Sequence, residues 1–191
     1  MEIVKASEAT FDLRPQMGEI FADGFYELGL KSLSKDKQKL ANALNHIFQL
    51  EHYYVALDGE DVMGFAALAT GKSLLKLDKK IIVQHFGFIL GRFAYFFLNK
   101  FMANHKFPFS IPPNAGTIEF VATAQQHRGK GVAGKIIAHI MDVTPQNEYI
   151  LEVVDTNAPA IKAYTKLGFA EFTRSPAPMG SGGKYLIYMK I

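Results

Sequence analysis

The chain of 191 residues contains no cysteine. It therefore has no disulfide, no thiol nucleophile and no thiolate metal ligand. Neither sign of charge dominates: 21 Lys and Arg stand against 18 Asp and Glu, a net of +3. The cations are spread along the chain, which argues against a nucleic-acid footprint. The opening stretch, "MEIVKASEATFDLRP", lacks the apolar core of a secretion signal, so the cytoplasm is the simplest location. With 49% hydrophobic residues, the expectation is one globular domain over residues 1–191 with a substantial core.

An uninterrupted apolar run is missing too. Residues Ile81 to Met102, "IIVQHFGFILGRFAYFFLNKFM", are long enough to span a bilayer, but His85, Arg92, Asn99 and Lys100 interrupt them. A central arginine costs about 2.5–3.5 kcal/mol on insertion scales, so no membrane span is expected. His85, Arg92 and Asn99 recur every seven residues, with Tyr95 at helical spacing between two of them. That is a narrow polar stripe on one mostly apolar helix. Such a helix packs on the domain's own core, on a second copy in a homodimer, or on a hydrophobic ligand as a wall of the acceptor site.

What is present reads as alternating strands and helices. Glu2 to Ala6 is a first strand, Pro15 to Gly29 a helix, and Ser34 to about Leu50 a second helix. "YYVALDGEDVMGFAALAT" is a hairpin around Asp58-Gly59. The long apolar helix lies in 71–113 and is stopped by Pro108, Pro112 and Pro113. "GTIEFVAT" is a strand, followed by a glycine turn and a helix to about Met141. "EYILEVV" is a strand and "NAPAIKAYTKLG" a short helix stopped by Gly168. "AEFTRS" and "KYLIYMKI" are closing strands joined by a mobile "PAPMGSGG" loop. Together these give one mixed α/β domain with helices covering a sheet.

The turn "QHRGKGVAGK", residues 126–135, puts three glycines and three cations in ten residues, a composition suited to a phosphate. Gly129-x-Gly131-x-x-Gly134 matches a dinucleotide fingerprint formally, but four long polar residues, Gln125 to Arg128, stand where a tight strand-to-helix turn is required. Gly129-x4-Gly134-Lys135 begins a Walker A motif, yet Ile136 replaces the Ser or Thr that would hold magnesium. Arg128-x-x-Gly131-x-Ala133 resembles the Arg/Gln-x-x-Gly-x-Gly/Ala motif of the GNAT family, the GCN5-related N-acetyltransferases. The next motif of that family is similar to "LEVVDTNAPAIKAYTKLGFAEF", with Asn157, Ala160, Tyr164 and Leu167-Gly168-Phe169 in order. The resemblance is strong over about residues 115–175. It implies a central mixed, mostly antiparallel sheet flanked by helices, with 71–113 as a helical insertion.

The resemblance also implies acetyl-CoA as cosubstrate, an amine as acceptor, direct attack of that amine on the thioester, and no metal. Arg128, Gly129, Lys130, Gly131, Val132 and Ala133, with His127 beside them, would hold the pyrophosphate; glycines and a helix N-terminus suit an anion. Val121, Ala122 and Thr123 would pair with the pantetheine arm. Tyr164 would protonate the departing thiolate, its alternative being a core aromatic beside Ile161 and Leu167. Glu119 would serve as base, directly or through water, or else as a salt-bridged or substrate-binding carboxylate. Strand alternation sets it on the face opposite Ile118 and Phe120. Asn157 is an N-cap by position, and the resemblance places it, with Ala160, near the coenzyme arm. A coenzyme-binding module without catalysis and a peripheral membrane protein are the competing readings.

Overall fold

The computed structural model describes residues 1–71, 73–178 and 181–191. Seven strands form one sheet: β1 (Glu2–Lys5), β2 (Tyr53–Asp58), β3 (Asp61–Ala69), β4 (Ala115–Thr123), β5 (Glu148–Val154), β6 (Ala170–Pro176) and β7 (Tyr185–Lys190). Their order is β1-β2-β3-β4-β5-β7-β6. Only β4 and β5 pair in parallel; every other neighbour is antiparallel. The expected mixed, mostly antiparallel α/β architecture is the one observed.

Both faces of this sheet are covered, and alternation along β3 shows how. Phe65 and Ala67 point into a core shared with α1 (Arg14–Gly24), α2 (Lys37–Leu44), α3 (Lys79–Phe86) and α4 (Phe88–Leu98). Ala66 and Leu68 point into a second core shared with α5 (Val132–Val143) and α6 (Ala158–Lys166). A strand buried on both faces reads as a continuous apolar run, as "VMGFAALA" does. The β2–β3 turn has Gly59 at φ 60°, the conformation its place after Asp58 demands. Asp36 starts α2 by accepting from the Lys39 N–H at 3.1 Å, and Asp78 starts α3 by accepting from Lys80 and Ile81.

Three helices differ from expectation. The first ends at Gly24 rather than Gly29, and the chain then turns to bury Leu30 and Leu33. The second ends at Leu44; residues 45–52 form two tight turns that bury Ile47 and Phe48. The apolar helix of 81–102 is two helices. Gly87, at φ 81°, breaks it, and Gly91 lets α4 lie against α3, since a Cβ there would meet Val83 Cα at 2.5 Å. The polar stripe is broken with it: His85 sits on α3, Arg92 and Tyr95 on α4, and Asn99 in the wide turn that follows. Lys72, Met179 and Gly180 lie outside the described residues, the last two within the loop expected to be mobile.

Candidate active site

The parallel ladder between β4 and β5 is short. It runs from Ala115–Glu148 to Ile118–Leu151, and no pairing follows. On the other side β4 stays paired to β3 out to Thr123, and β5 stays paired to β7 out to Val154. A wedge therefore opens between Glu119–Thr123 and Glu152–Val154, with its apex at Ile118 and Leu151. The β3–β4 register slips beside it, between Phe65 and Ala67, and Phe120 stands at φ 51°. A phenylalanine in the left-handed region is strained, so the surrounding packing must hold it there. Phe120 packs against Phe21 and Phe25 on the α1 side, with ring centroids 5.9 Å away in both cases. This bulge corrects the alternation expected for β4: Ile118 lies opposite Glu119, but Phe120 shares the α1 face with it. Gly64 allows the close crossing, because a Cβ there would meet the Ala122 carbonyl at 2.6 Å.

The first unpaired residue on each arm of the wedge is a glutamate, Glu119 on β4 and Glu152 on β5. The buried Thr117 hydroxyl donates to Glu119 Oε1 at 2.6 Å. Burial pushes the Glu119 carboxyl above its ordinary range; the Thr117 hydrogen bond and the charge of His105 oppose this, and Glu152 adds to it. His105 Nε2 lies 3.0 Å from Glu152 Oε2. That hydrogen bond raises the His105 pKa against the opposing effect of burial. Across the β5–β7 ladder from Glu152 is Tyr188, whose phenol is pushed up to about 12 by burial and whose hydroxyl meets Ser175 Oγ at 3.0 Å. Phe109 and Phe107 stack toward the Tyr188 ring at 5.1 and 5.9 Å. His105, Phe107, Phe109, Glu152 and Tyr188 were not singled out as site residues by the sequence. The 47-residue separation of His105 from Glu152 leaves no local signal of that pair.

The glycine turn closes the open end of β4. A tight turn over Gln125–His127 leads to Gly129 at φ 76° and Gly131 at φ 77°, and Gly131 precedes the first residue of α5. These two need glycine for conformation alone: a Cβ at either would meet nothing within 4 Å. The N–H groups of Gly129 and Gly131 donate to no backbone carbonyl among the described residues. Those of Val132, Ala133 and Gly134 are the free donors of a helix start. Open space, free donors and the helix dipole together fit an anion without any metal. Among the described residues no group of three or more acidic or histidine side chains could hold a metal ion.

The expected side chains around this turn are distributed unevenly. Arg128 turns back: its Nε donates to the Thr123 carbonyl at 3.2 Å, and its guanidinium pairs with Asp23 of α1. Burial raises the Asp23 pKa, but Lys37 and Arg128 outweigh it and leave the carboxyl below its ordinary range. His127 Nε2 meets Asp61 Oδ2 at 2.7 Å, and its Nδ1 is buried without a partner. Lys130 is exposed. Ala122 is buried against the α1 core, while Val121 packs against the α5 core.

On α6, Asn157 Oδ1 accepts from the Ala160 N–H at 3.3 Å, so it does cap the helix. Tyr164 is buried in the α5–α6 core, 6.3 Å from the Phe169 ring. Burial alone pushes its phenol up to about 12; no hydrogen bond contributes. A phenol so placed keeps its proton at neutral pH.

Residues 14–169 match the sequence profile of the Acetyltransferase (GNAT) family. The chain belongs to that family. Over 81 residues it is 36% identical to streptothricin acetyltransferase of Streptomyces lavendulae. That stretch is 39% of this chain and 43% of the relative's length. In fold it is similar to an N-acetyltransferase from Staphylococcus aureus Mu50, with TM-score 0.67, 15% identity and all of both chains covered. It is also similar to a histone acetyltransferase HPA2 and related acetyltransferase from Corynebacterium glutamicum, with TM-score 0.64 and 22% identity over 98% of this chain and 93% of that one. No helix among the described residues is long and apolar enough to cross a membrane.

Proposed function

We propose that this GNAT member is a cytoplasmic N-acetyltransferase, acting as one unit over residues 1–191, that moves the acetyl group of acetyl-CoA to a cationic amine. The observation that carries the reading is the wedge: a glutamate on each arm of its apex, and an anion-suited turn at its open end. The backbone donors of Gly129 to Ala133 would hold the pyrophosphate, with Lys130 adding positive charge. The free edge of Val121, Ala122 and Thr123 would take the pantetheine arm as an added strand, with Asn157 and Ala160 alongside. Arg128, held by Asp23 and the Thr123 carbonyl, fixes the loop to β4 in the free protein. Acetyl-CoA, when bound, supplies the acetyl group as an activated thioester.

The remaining chemistry falls to side chains. An amine with pKa of about 10.4 is nearly all protonated at neutral pH and must lose a proton before its nitrogen can attack. Glu119 takes that proton, directly or through water, and its raised pKa makes it a better base than an exposed carboxylate. As the new C–N bond forms and the C–S bond breaks, Tyr164 gives its phenolic proton to the sulfur. Two carboxylates, Glu119 and Glu152, against one histidine, His105, make the apex acidic in composition, which favours an ammonium over an acidic acceptor. His105, Phe107 and Phe109 would wall the acceptor side.

The test is release of free thiol from acetyl-CoA against a panel of polyamines, amino sugars, lysyl peptides and carboxylate-bearing amines. Turnover restricted to cationic amines supports the proposal. Acetyl-CoA binding with no turnover on any member would favour the coenzyme-binding module instead.

A further inference from the structure

The helix α4 buries only Gly91, Ala94 and Leu98. Its larger apolar side chains face outward: Ile89 is 85% and Phe88 72% exposed, and Phe93 and Phe96 are each more than half exposed. Carboxylates are scarce in this part of the sequence. Residues 71–113 hold seven lysines and arginines and one carboxylate, Asp78, a net of +6 in a chain that totals +3. Among the described residues, Lys76, Lys79, Lys80, Arg92, Lys100 and Lys106 have no carboxylate partner. The cations interleave with the rings: Arg92 lies over Phe88 at 5.5 Å, and Lys100 over Phe96 at 5.8 Å. A cleft of about 850 Å³ opens between α3 and α4, its rim formed in part by Lys76, Lys79, Lys80 and Arg92.

We infer that the outer face of α3 and α4 docks on an anionic lipid bilayer, with lipid phosphates at the cleft and Ile89, Phe93 and Phe96 entering the interface. The charge decides among occupants. A second copy would set Lys76, Lys79, Lys80, Arg92 and Lys100 of one face against the same cations of the other, and a cationic partner would meet the same repulsion. A nucleic acid satisfies the lysines but has no use for a row of aliphatic and aromatic side chains. An anionic bilayer satisfies both the apolar row and its flanking cations. The face includes none of the residues assigned to acetyl transfer, so docking and catalysis are separable.

The test is co-sedimentation of the full chain with vesicles of phosphatidylcholine alone and of phosphatidylcholine with about 30% phosphatidylglycerol. Binding should be at least about tenfold tighter to the anionic vesicles and should weaken as salt rises from about 0.05 to 0.5 M. Phe93→Ser with Phe96→Ser, and separately Lys79→Glu with Lys80→Glu, should each reduce it about tenfold. These positions are exposed, so both variants should keep the wild-type circular dichroism and thiol-release rate. Equal binding to both vesicles, or none, would overturn the inference. So would inorganic phosphate raising the melting temperature where anionic vesicles do not bind. A wild-type dimer that the Phe93/Phe96 variant turns into a monomer would overturn it as well, by giving the face to a second copy.

Discussion

The two ends of the wedge, the glycine turn that we assign to the coenzyme and the glutamate apex that we assign to the acceptor, are built from different kinds of information. On the coenzyme side, the turn, the start of α5 and the start of α6 are local. Gly129, Gly131 and Asn157 each do their work within a few residues of their own position. On the acceptor side, Glu119, Glu152 and His105 come from two strands and a distant loop, and they matter only because the sheet brings them together. The first region presents main-chain donors, which any sequence with the right glycines supplies. The second presents charged and aromatic side chains, whose identity is what an acceptor would meet. Coenzyme binding should therefore be lost through backbone geometry, and acceptor choice altered through side chains.

The sharpest division comes from Tyr164→Phe. Removing the phenolic proton should lower kcat by about 10²-fold or more while leaving the affinity for acetyl-CoA near wild type, as steady-state kinetics and calorimetry would show. Among the described residues its hydroxyl makes no hydrogen bond, so the melting temperature should not fall. Parallel losses of affinity and stability would make Tyr164 a packing residue and dissolve the division at that point.

Glu119→Gln should cost about 10-fold to 10²-fold in kcat/KM for the amine. Its effect on stability should have the opposite sign. A carboxyl whose pKa is raised by folding favours the folded state most when protonated, and that contribution is lost as pH climbs from the ordinary carboxylate range through the raised value. At neutral pH the glutamine variant should therefore melt at or above the wild-type temperature. A variant that is both inactive and markedly less stable would argue for a structural carboxylate.

His105→Ala should raise the amine KM by about tenfold with acetyl-CoA affinity unchanged. It should also remove a pH dependence. The raised His105 pKa gives stability that is full below the ordinary histidine range and fades as pH rises through the higher folded value. The difference in melting temperature between wild type and His105→Ala should shrink above that value. The smallest effect is expected from Arg92→Ala: Arg92 is exposed on α4 and rests on Phe88, so both KM values should stay at wild type. A changed amine KM in that variant would return α4 to the acceptor wall.

The same contrast explains what could be read from the sequence. The succession of strands along the chain, the hairpin at Asp58-Gly59 and the glycine turn were legible because alternation, turn chemistry and positive-φ glycines act over a few residues. Periodicity failed at Gly87. The apolar pattern continues through the break, and only the backbone of that glycine reveals two helices rather than one. It failed again at Phe120, where the bulge turns two consecutive residues to one face, against the rule of alternation. Glu119 was legible as a polar residue in an apolar strand, but its partner across the wedge was not. Nothing near Glu152 in sequence marks it as the facing carboxylate, because that relation is made by the four-residue ladder that ends at Ile118 and Leu151.

The central claim is that the turn at Gly129 and Gly131 is an anion site for acetyl-CoA that works through backbone donors and needs no metal. Calorimetric titration with acetyl-CoA in the presence of a chelator, for wild type and for Gly131→Glu, tests it directly. Wild type should bind, and at a hundredfold excess over Kd the ligand should add about 2.7 kcal/mol of stability. That corresponds to a melting shift of roughly 5–10 °C for a chain of this size. Gly131→Glu should abolish both, since it strains a left-handed position and puts a carboxylate at the anion site. Undiminished binding by that variant, or wild-type binding only when a divalent metal is restored, would contradict the account.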